Sequence, residues 1–162
     1  MVGKVKAALD SRRSDSTLII ARTDARAVEG LDAALERAEA YHEAGADVLF
    51  IEAPQSIDEM RQLCGTFRGR VPLLANMVEG GKTPIKSAED LADLGYSIAI
   101  FPGGAVRAIS RHLQAYYDGL LANGSNAGFA ERMHDFNGLN EIIETAELLK
   151  LGKHYEEKDS TG

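Results

Sequence analysis

Apolar residues gather in four short, unbroken runs, and each run is followed by a longer stretch whose apolar positions recur with helical spacing. Leu18 to Ala21 ends in Arg22-Thr23-Asp24, and Val48 to Ile51 ends in Glu52. Val71 to Ala75 ends in Asn76, and Ile98 to Phe101 leads into Pro102-Gly103-Gly104. Runs that do not alternate with polar residues predict strands covered on both faces, as in a parallel sheet. Leu31, Ala34, Leu35, Ala38 and Tyr41 predict a helix after the first strand, stopped by Gly45, with Asp24 to Gly30 as a connector. Ser56-Ile57-Asp58-Glu59 and Ser87 to Asp90 open the next two helices as capping boxes; Gly95 ends the second of these, and a fourth helix runs to about Asn123. At the start of the chain, Val2, Val5 and Leu9 share a helical face of hardly two turns before Ser11 to Ser16 interrupt it.

Four strand-helix units in succession imply parallel strands joined by right-handed crossovers. Two architectures fit. A doubly wound sheet closes within one chain, whereas a (β/α)8 barrel takes about eight such units and roughly 250 residues. The units occupy residues 1–124. Residues 125–162 read as a loop-like linker from Ser125 to Asn137, one amphipathic helix over 138–151 (Leu139, Ile142, Ile143, Ala146, Leu149), and a frayed polar tail from Glu156 to Gly162. That helix suits packing against a second subunit or back onto its own domain.

Composition narrows the function classes. The chain has 162 residues, 44% of them apolar and 27% charged, which is globular rather than disordered. A formal charge of -7 and an isoelectric point near 5.1 argue against a nucleic-acid partner. The single Cys64 permits no intramolecular disulfide, and no apolar run reaches the length of a signal peptide or a membrane span, so a reducing cytoplasm is expected. Cys64, at a helix end beside Leu63, reads as a buried inert thiol, and His42, His112, His134 and His154 have no metal-ligand spacing.

The polar strand tips are the candidate chemistry. Arg22 offers a planar fork to an anionic ligand, or a structural ion pair to Asp24 or Glu52. Glu52 is too short-tethered to escape a helix-flanked sheet and needs a cation or a water shell at the strand mouth. Asn76 donates and accepts at once, which suits orienting a carboxylate or capping the loop that follows. Gly103-Gly104 could seat an anion at a helix N-terminus or let helix and strand approach.

Three segments then carry a resemblance: Ile19 to Ala25 (Ile-Ile-Ala-Arg-Thr-Asp-Ala), Ala44 to Ala53, and Ala75 to Pro84 (Ala-Asn-Met-Val-Glu-Gly-Gly-Lys-Thr-Pro). In order and spacing the chain resembles the isocitrate lyase and phosphoenolpyruvate mutase superfamily, in its short-chain branch of 2-methylisocitrate lyases, oxaloacetate decarboxylases, dimethylmalate lyases and carboxyphosphonoenolpyruvate mutases. The resemblance implies the C-terminal half of a (β/α)8 barrel, strands five to eight, with an appended helix. It further implies Mg²⁺-dependent cleavage of a C–C bond in a 2-oxo or 2-hydroxy dicarboxylate or tricarboxylate, or a mutase reaction at a phosphorus-carbon bond. Arg22 and Glu52 would be catalytic, and Arg22, Asn76, Glu79 and Gly80 would bind the substrate, with Glu52 in the outer shell of the metal through water. The family's metal-holding aspartates and its Lys-Arg-Cys-Gly-His-like loop belong to the first half of the barrel, so the chain alone is expected to be inactive. A non-catalytic half-barrel that oligomerises is the alternative from another class. A nucleotide-binding doubly wound domain is weaker, because no Gly-x-Gly-x-x-Gly follows the first strand.

Overall fold

The structure is a computed structural model that describes residues 1–159, with side chains as far as Tyr155. The chain divides into two compact units, residues 1–107 and 108–162. The first unit carries the four strands β1 (Ile20–Thr23), β2 (Val48–Ile51), β3 (Leu74–Asn76) and β4 (Ile98–Ile100). Helix α1 (Val2–Ser11) precedes them. Helices α2 (Ala25–Val28) and α3 (Leu31–Glu43) follow β1, α4 (Ile57–Phe67) follows β2, and α5 (Ala88–Leu94) follows β3.

The strands pair in parallel as β1 with β2 and β3 with β4. β1 aligns Ile20 with Val48 and Arg22 with Phe50, and β3 aligns Leu74 with Ile98 and Asn76 with Ile100. A single parallel bridge, Leu49 with Leu73, joins the two pairs, and the Leu49 N–H donates to the Pro72 carbonyl at 3.0 Å. The order β1-β2-β3-β4 is therefore sequential. It has no reversal, the feature at which a doubly wound sheet binds its ligand.

Alternation along the strands separates two faces. Ala21, Leu49, Ile51 and Leu73 turn toward the helices, in a core with Val5, Ala34, Ala38, Tyr41, Leu63, Cys64 and Phe67. Met60, Ala75, Met77 and Leu91 extend that core under α4 and α5. Val48, Phe50 and Leu74, with Ile98 and Ile100 against them, form the opposite face. Arg22, Glu52 and Asn76 have the same parity as this second set, so they stand on the face that the helices do not cover.

Helix ends follow the sequence signals with one exception. Ser87 and Asp90 form a complete capping box. At α4 only half of one exists: Ser56 Oγ accepts the Glu59 N–H at 3.1 Å, but the Glu59 carboxylate is taken by the Gln55 N–H at 2.8 Å and by Arg26. With both oxygens held by the Arg26 fork and one also by the Gln55 N–H, the carboxylate does not turn back to the Ser56 N–H. Gly45 ends α3 at φ +100°, where a Cβ would lie 2.9 Å from Leu9 Cδ1, so glycine serves both the backbone and the approach of α1. Two predicted boundaries shift. Helix α1 has ten residues rather than two turns, and the connector from Asp24 to Gly30 contains α2.

Helix α6 (Gly104–Asn123) runs to the predicted end and buries no residue. In the second unit, the linker expected to be loop-like contains a 3-10 segment, Ala127–Arg132, that carries Phe129. The rings of His112 and Tyr116 meet Phe129 edge to face, with centroids 5.0 and 5.3 Å away, and the Arg132 guanidinium covers it at 4.2 Å. The single helix expected over 138–151 is two: α7 (Phe136–Ile142) and α8 (Thr145–Asp159). Glu144 adopts φ +53°, which no helix interior allows, and its carbonyl accepts from Glu147 and Leu148 to open α8. Two adjacent β-branched residues, Ile142 and Ile143, weaken the helix at that joint. The polar tail is helical to Asp159, and residues 160–162 lie outside the described residues. Among the described residues, no helix is long and apolar enough to cross a membrane.

Candidate functional site

Three of the predicted residues meet. Pairing of β1 with β2 and β3 with β4 brings the strand tips level, so Arg22, Glu52 and Asn76, far apart in sequence, share one end of the sheet. Glu52 is the centre. Its Oε2 forms an ion pair with Arg22 Nη2 at 3.2 Å and accepts from Asn76 Nδ2 at 3.2 Å. The Glu52 side chain is 19% exposed, against 48% for Arg22.

Arg22 is more committed than its sequence position suggests. Its Nε and Nη2 donate to the two oxygens of Asp24 at 3.0 and 2.7 Å, so the bidentate edge expected for a ligand holds a neighbouring carboxylate. The hydrogen bond to Asp24 raises the Arg22 pKa, Glu52 adds to the rise, and the same bond from Arg22 lowers the pKa of Asp24. The Phe50 ring lies 4.8 Å from the guanidinium carbon and supports it from one side. Both structural partners weighed for Arg22 are thus real. Two donors remain on Nη1, which takes part in none of these bonds.

A carboxylate can only accept, so Glu52 fixes the Asn76 amide with its nitrogen inward. The other end of that amide, Oδ1, is buried with no donor. It belongs to a residue lining a narrow void with Ala53, Pro54, Met77, Thr83 and Tyr96.

Glu79 and Gly80 lie in the loop after β3, and Glu79 turns to α6. Its backbone carbonyl accepts from Arg107 Nη1, and its Oε2 is 3.5 Å from the same nitrogen. Glu79 Oε1 would lie 3.1 Å from a Cβ placed on Gly104. The Gly103-Gly104 cradle, one reading of which was an anion seat, therefore holds the protein's own carboxylate. Gly80 adopts φ +75°, a turn that suits glycine.

Around the cluster, Arg26 Nε and Nη2 donate to the two Glu59 oxygens at 2.8 and 2.6 Å, joining the turn after β1 to the start of α4. Nothing in the sequence pairs these two, which are separated by 33 positions. Thr23, the buried polar residue of β1, accepts the Ala25 N–H on Oγ1 at 3.3 Å and ends the strand. Cys64 is buried, and desolvation pushes its thiol up to about 11; burial likewise raises the phenol of Tyr96, with which it shares a hydrogen bond. The four histidines join no metal set, and among the described residues no three Asp, Glu, His or Cys side chains are grouped as metal ligands.

Relatives supply the frame for this geometry. The profile of the phosphoenolpyruvate phosphomutase family matches residues 1–121. The 2-methylisocitrate lyase of Bacillus subtilis is 42% identical over 145 residues, which are 90% of this chain and 46% of that protein. The crystal structure of 2,3-dimethylmalate lyase, described as a PEP mutase/isocitrate lyase superfamily member, superposes with a TM-score of 0.84 at 29% identity, covering 95% of this chain and 54% of that one. Phosphonopyruvate hydrolase, solved with oxalate and Mg²⁺, shares the fold with a TM-score of 0.80 at 24% identity, over 95% of this chain and 54% of that one. The chain spans about half the length of the curated relatives it matches. Sequential parallel strands, 42% identity to a 2-methylisocitrate lyase and a family profile over three quarters of the sequence lead to one conclusion: the chain belongs to the PEP mutase/isocitrate lyase superfamily.

Proposed function

We propose that this chain is the C-terminal half of a (β/α)8 barrel that cleaves a C–C bond in a 2-oxo or 2-hydroxy dicarboxylate or tricarboxylate, in the manner of 2-methylisocitrate lyase. The observation that carries the reading is the convergence of Arg22, Glu52 and Asn76 on the tips of three consecutive parallel strands. In barrels of this kind chemistry sits at the C-terminal ends of the strands. The polar inventory is suited to a substrate with several carboxylates.

Bond cleavage between carbons leaves negative charge on an enolate-like product, and the barrier falls if donors are already aimed where that charge forms. Arg22 can supply this through Nη1, while Asp24 and Glu52 hold its other donors still. Asn76, oriented by Glu52, fixes the edge of the site next to β4. Glu79 and Gly80 shape the loop over the substrate side, tied to α6 through Arg107.

The family reading includes Mg²⁺, which would stabilise the same enolate charge. The residues of this chain do not fit an inner coordination sphere for it. Mg²⁺ asks for near-octahedral oxygen with more than one anchor, and Glu52, the lone candidate, already serves Arg22 and Asn76. The reading leaves Glu52 facing the ion's water at most and assigns the metal ligands to the other half of the barrel.

Pyruvate release from 2-methylisocitrate and from oxaloacetate, with Mg²⁺ and a blank for spontaneous decarboxylation, tests the proposal. The chain alone should show none. Adding a polypeptide with the family's first four strand-helix units should restore it, and Arg22→Lys should then lower kcat/KM by about a hundredfold. Turnover by the chain alone, or unchanged kinetics in Arg22→Lys, overturns the assignment.

Association accompanies this reading. Among the described residues the outer edges of β1 and β4 are unpaired, and Val106, Ile109, Leu113, Tyr117 and Leu121 form an exposed apolar stripe along α6. Leu139, Ile142, Leu148 and Leu149 are exposed on α7 and α8. Surface of this kind is seldom left in water. Light scattering should find a dimer or larger, and a clean monomer would count against both the half-barrel and the exposed-edge argument.

A further inference from the structure

The backbone is strained immediately beside Glu52. Ala53 adopts φ +58°, the left-handed region that a Cβ disfavours; among the described residues, Glu144 is the one other non-glycine with positive φ. Ala53 also precedes Pro54, whose ring crowds the backbone of the residue before it. Pro54 is buried.

The reason for the turn is geometric. Strand pairing persists through Glu52, whose N–H donates to the Thr23 carbonyl at 2.9 Å, and Ser56 already caps α4. Only residues 53 to 55 remain to redirect the chain from strand to helix, and the Gln55 N–H is fixed on Glu59 at 2.8 Å. A left-handed residue directly after the strand makes so short a connection possible. Glycine would be the unstrained choice. Alanine accepts the strain and removes the freedom glycine would have, at the residue whose neighbour bridges Arg22 and Asn76.

We propose that Ala53 is a positioning residue: its constrained left-handed turn fixes the direction in which Glu52 leaves the backbone, so that the carboxylate reaches Arg22 and Asn76 together. The purpose of this device rests on the site reading above; its test does not, because it reads the geometry of this chain without turnover.

The probe is the Asn76 side-chain amide, followed by NMR in the isotope-labelled chain. Bonding to the Glu52 carboxylate sets its shift, and Glu52→Ala provides the unbonded reference. In Ala53→Gly the turn survives but loosens, so the amide signal moves at least halfway toward that reference while Tm stays level or rises by about 3 °C from relieved strain. In Ala53→Asn, which accepts positive φ and keeps a Cβ, the wild-type signal returns. Ala53→Val, which cannot adopt the turn, loses the signal, with the methyl resonances of Leu63 and Met60 reporting an intact core. An Asn76 signal that is the same in wild type, Gly and Asn overturns the proposal even if the Val variant does not fold. A fall in Tm of about 3 °C or more in Ala53→Gly overturns the strain argument on which it stands.

Discussion

Glu52 joins two partners at the same 3.2 Å, yet the two contacts should differ in strength, and a pair of double-mutant cycles measures the difference. Truncating Glu52 to Ala removes both and strands the Asn76 amide, a half-buried donor whose loss of partner costs about 1–3 kcal/mol. A hydrogen bond to a charged acceptor contributes about 1.5–3 kcal/mol at good geometry. The Asn76 contacts, at 3.2 and 3.5 Å, are at the long end, so we expect a Glu52–Asn76 coupling of about 1 kcal/mol. Arg22 is nearly half exposed and keeps its bidentate bond to Asp24 when Glu52 is gone. Water screens it, and its coupling to Glu52 should be below about 0.5 kcal/mol. Urea unfolding followed by far-UV circular dichroism, on Glu52→Ala, Asn76→Ala, Arg22→Ala and the two double variants, supplies every term. A Glu52–Arg22 coupling equal to or above the Glu52–Asn76 value would refute the reasoning, because it would make the exposed ion pair, rather than the enclosed amide, the bond that holds Glu52. A Glu52–Asn76 coupling under about 0.3 kcal/mol would do the same.

Three further outcomes follow from the packing and the charges. Leu63→Ala, at a fully buried position between α4 and the sheet, should cost about 2–5 kcal/mol in urea unfolding, and a loss under 1 kcal/mol would mean that this core collapses around the deletion. Cys64 should resist a thiol reagent at pH 8 in the folded chain and react at once in denaturant, since its thiol titrates only at about 11; fast native labelling would contradict its burial. Glu59 has a pKa held below its ordinary 4.5, chiefly by the hydrogen bond from Arg26, so the folded state binds its proton less readily than the unfolded chain. Its contribution is complete above that value and is lost as pH falls through the folded pKa, so the stability gap between wild type and Glu59→Gln should shrink below about pH 4.5, and a gap constant down to pH 3 would exclude the linkage.

Much of the first unit was legible in the sequence because its signals are local. An unbroken apolar run bounded by Gly or polar residues can be read as a strand from five or six positions, and Ser87 with Asp90 marks a helix start within four. The three strand tips were legible for the same reason, since each is simply the residue at which an apolar run stops. Ala53 gave no signal, because an alanine before a proline is ordinary until the chain around it must turn within three residues. The break at Glu144 was hidden as well: Leu139, Ile142, Ile143, Ala146 and Leu149 keep helical spacing across a joint that periodicity does not register.

What the sequence determined alone was the four strands, the main helix that follows each of them and the residue types at the strand ends, all fixed by side-chain chemistry over a few neighbouring positions. What the tertiary structure decided was who meets whom. Strand order, and with it the choice against a doubly wound sheet, depends on pairings such as Leu49 with Leu73, whose energy is shared among backbone groups that look alike in every residue. The same holds for the site. Arg22 could have faced a ligand, Asp24 or Glu52 on chemistry alone; Asp24 lies two residues away, but only the alignment of β1 with β2 brought Glu52 to it as well and left Nη1 for anything else. The sequence resemblance suggested a substrate-side role for Glu79; in space it fills the Gly104 cradle, because a missing Cβ at the start of α6 leaves room that only a folded neighbour can find.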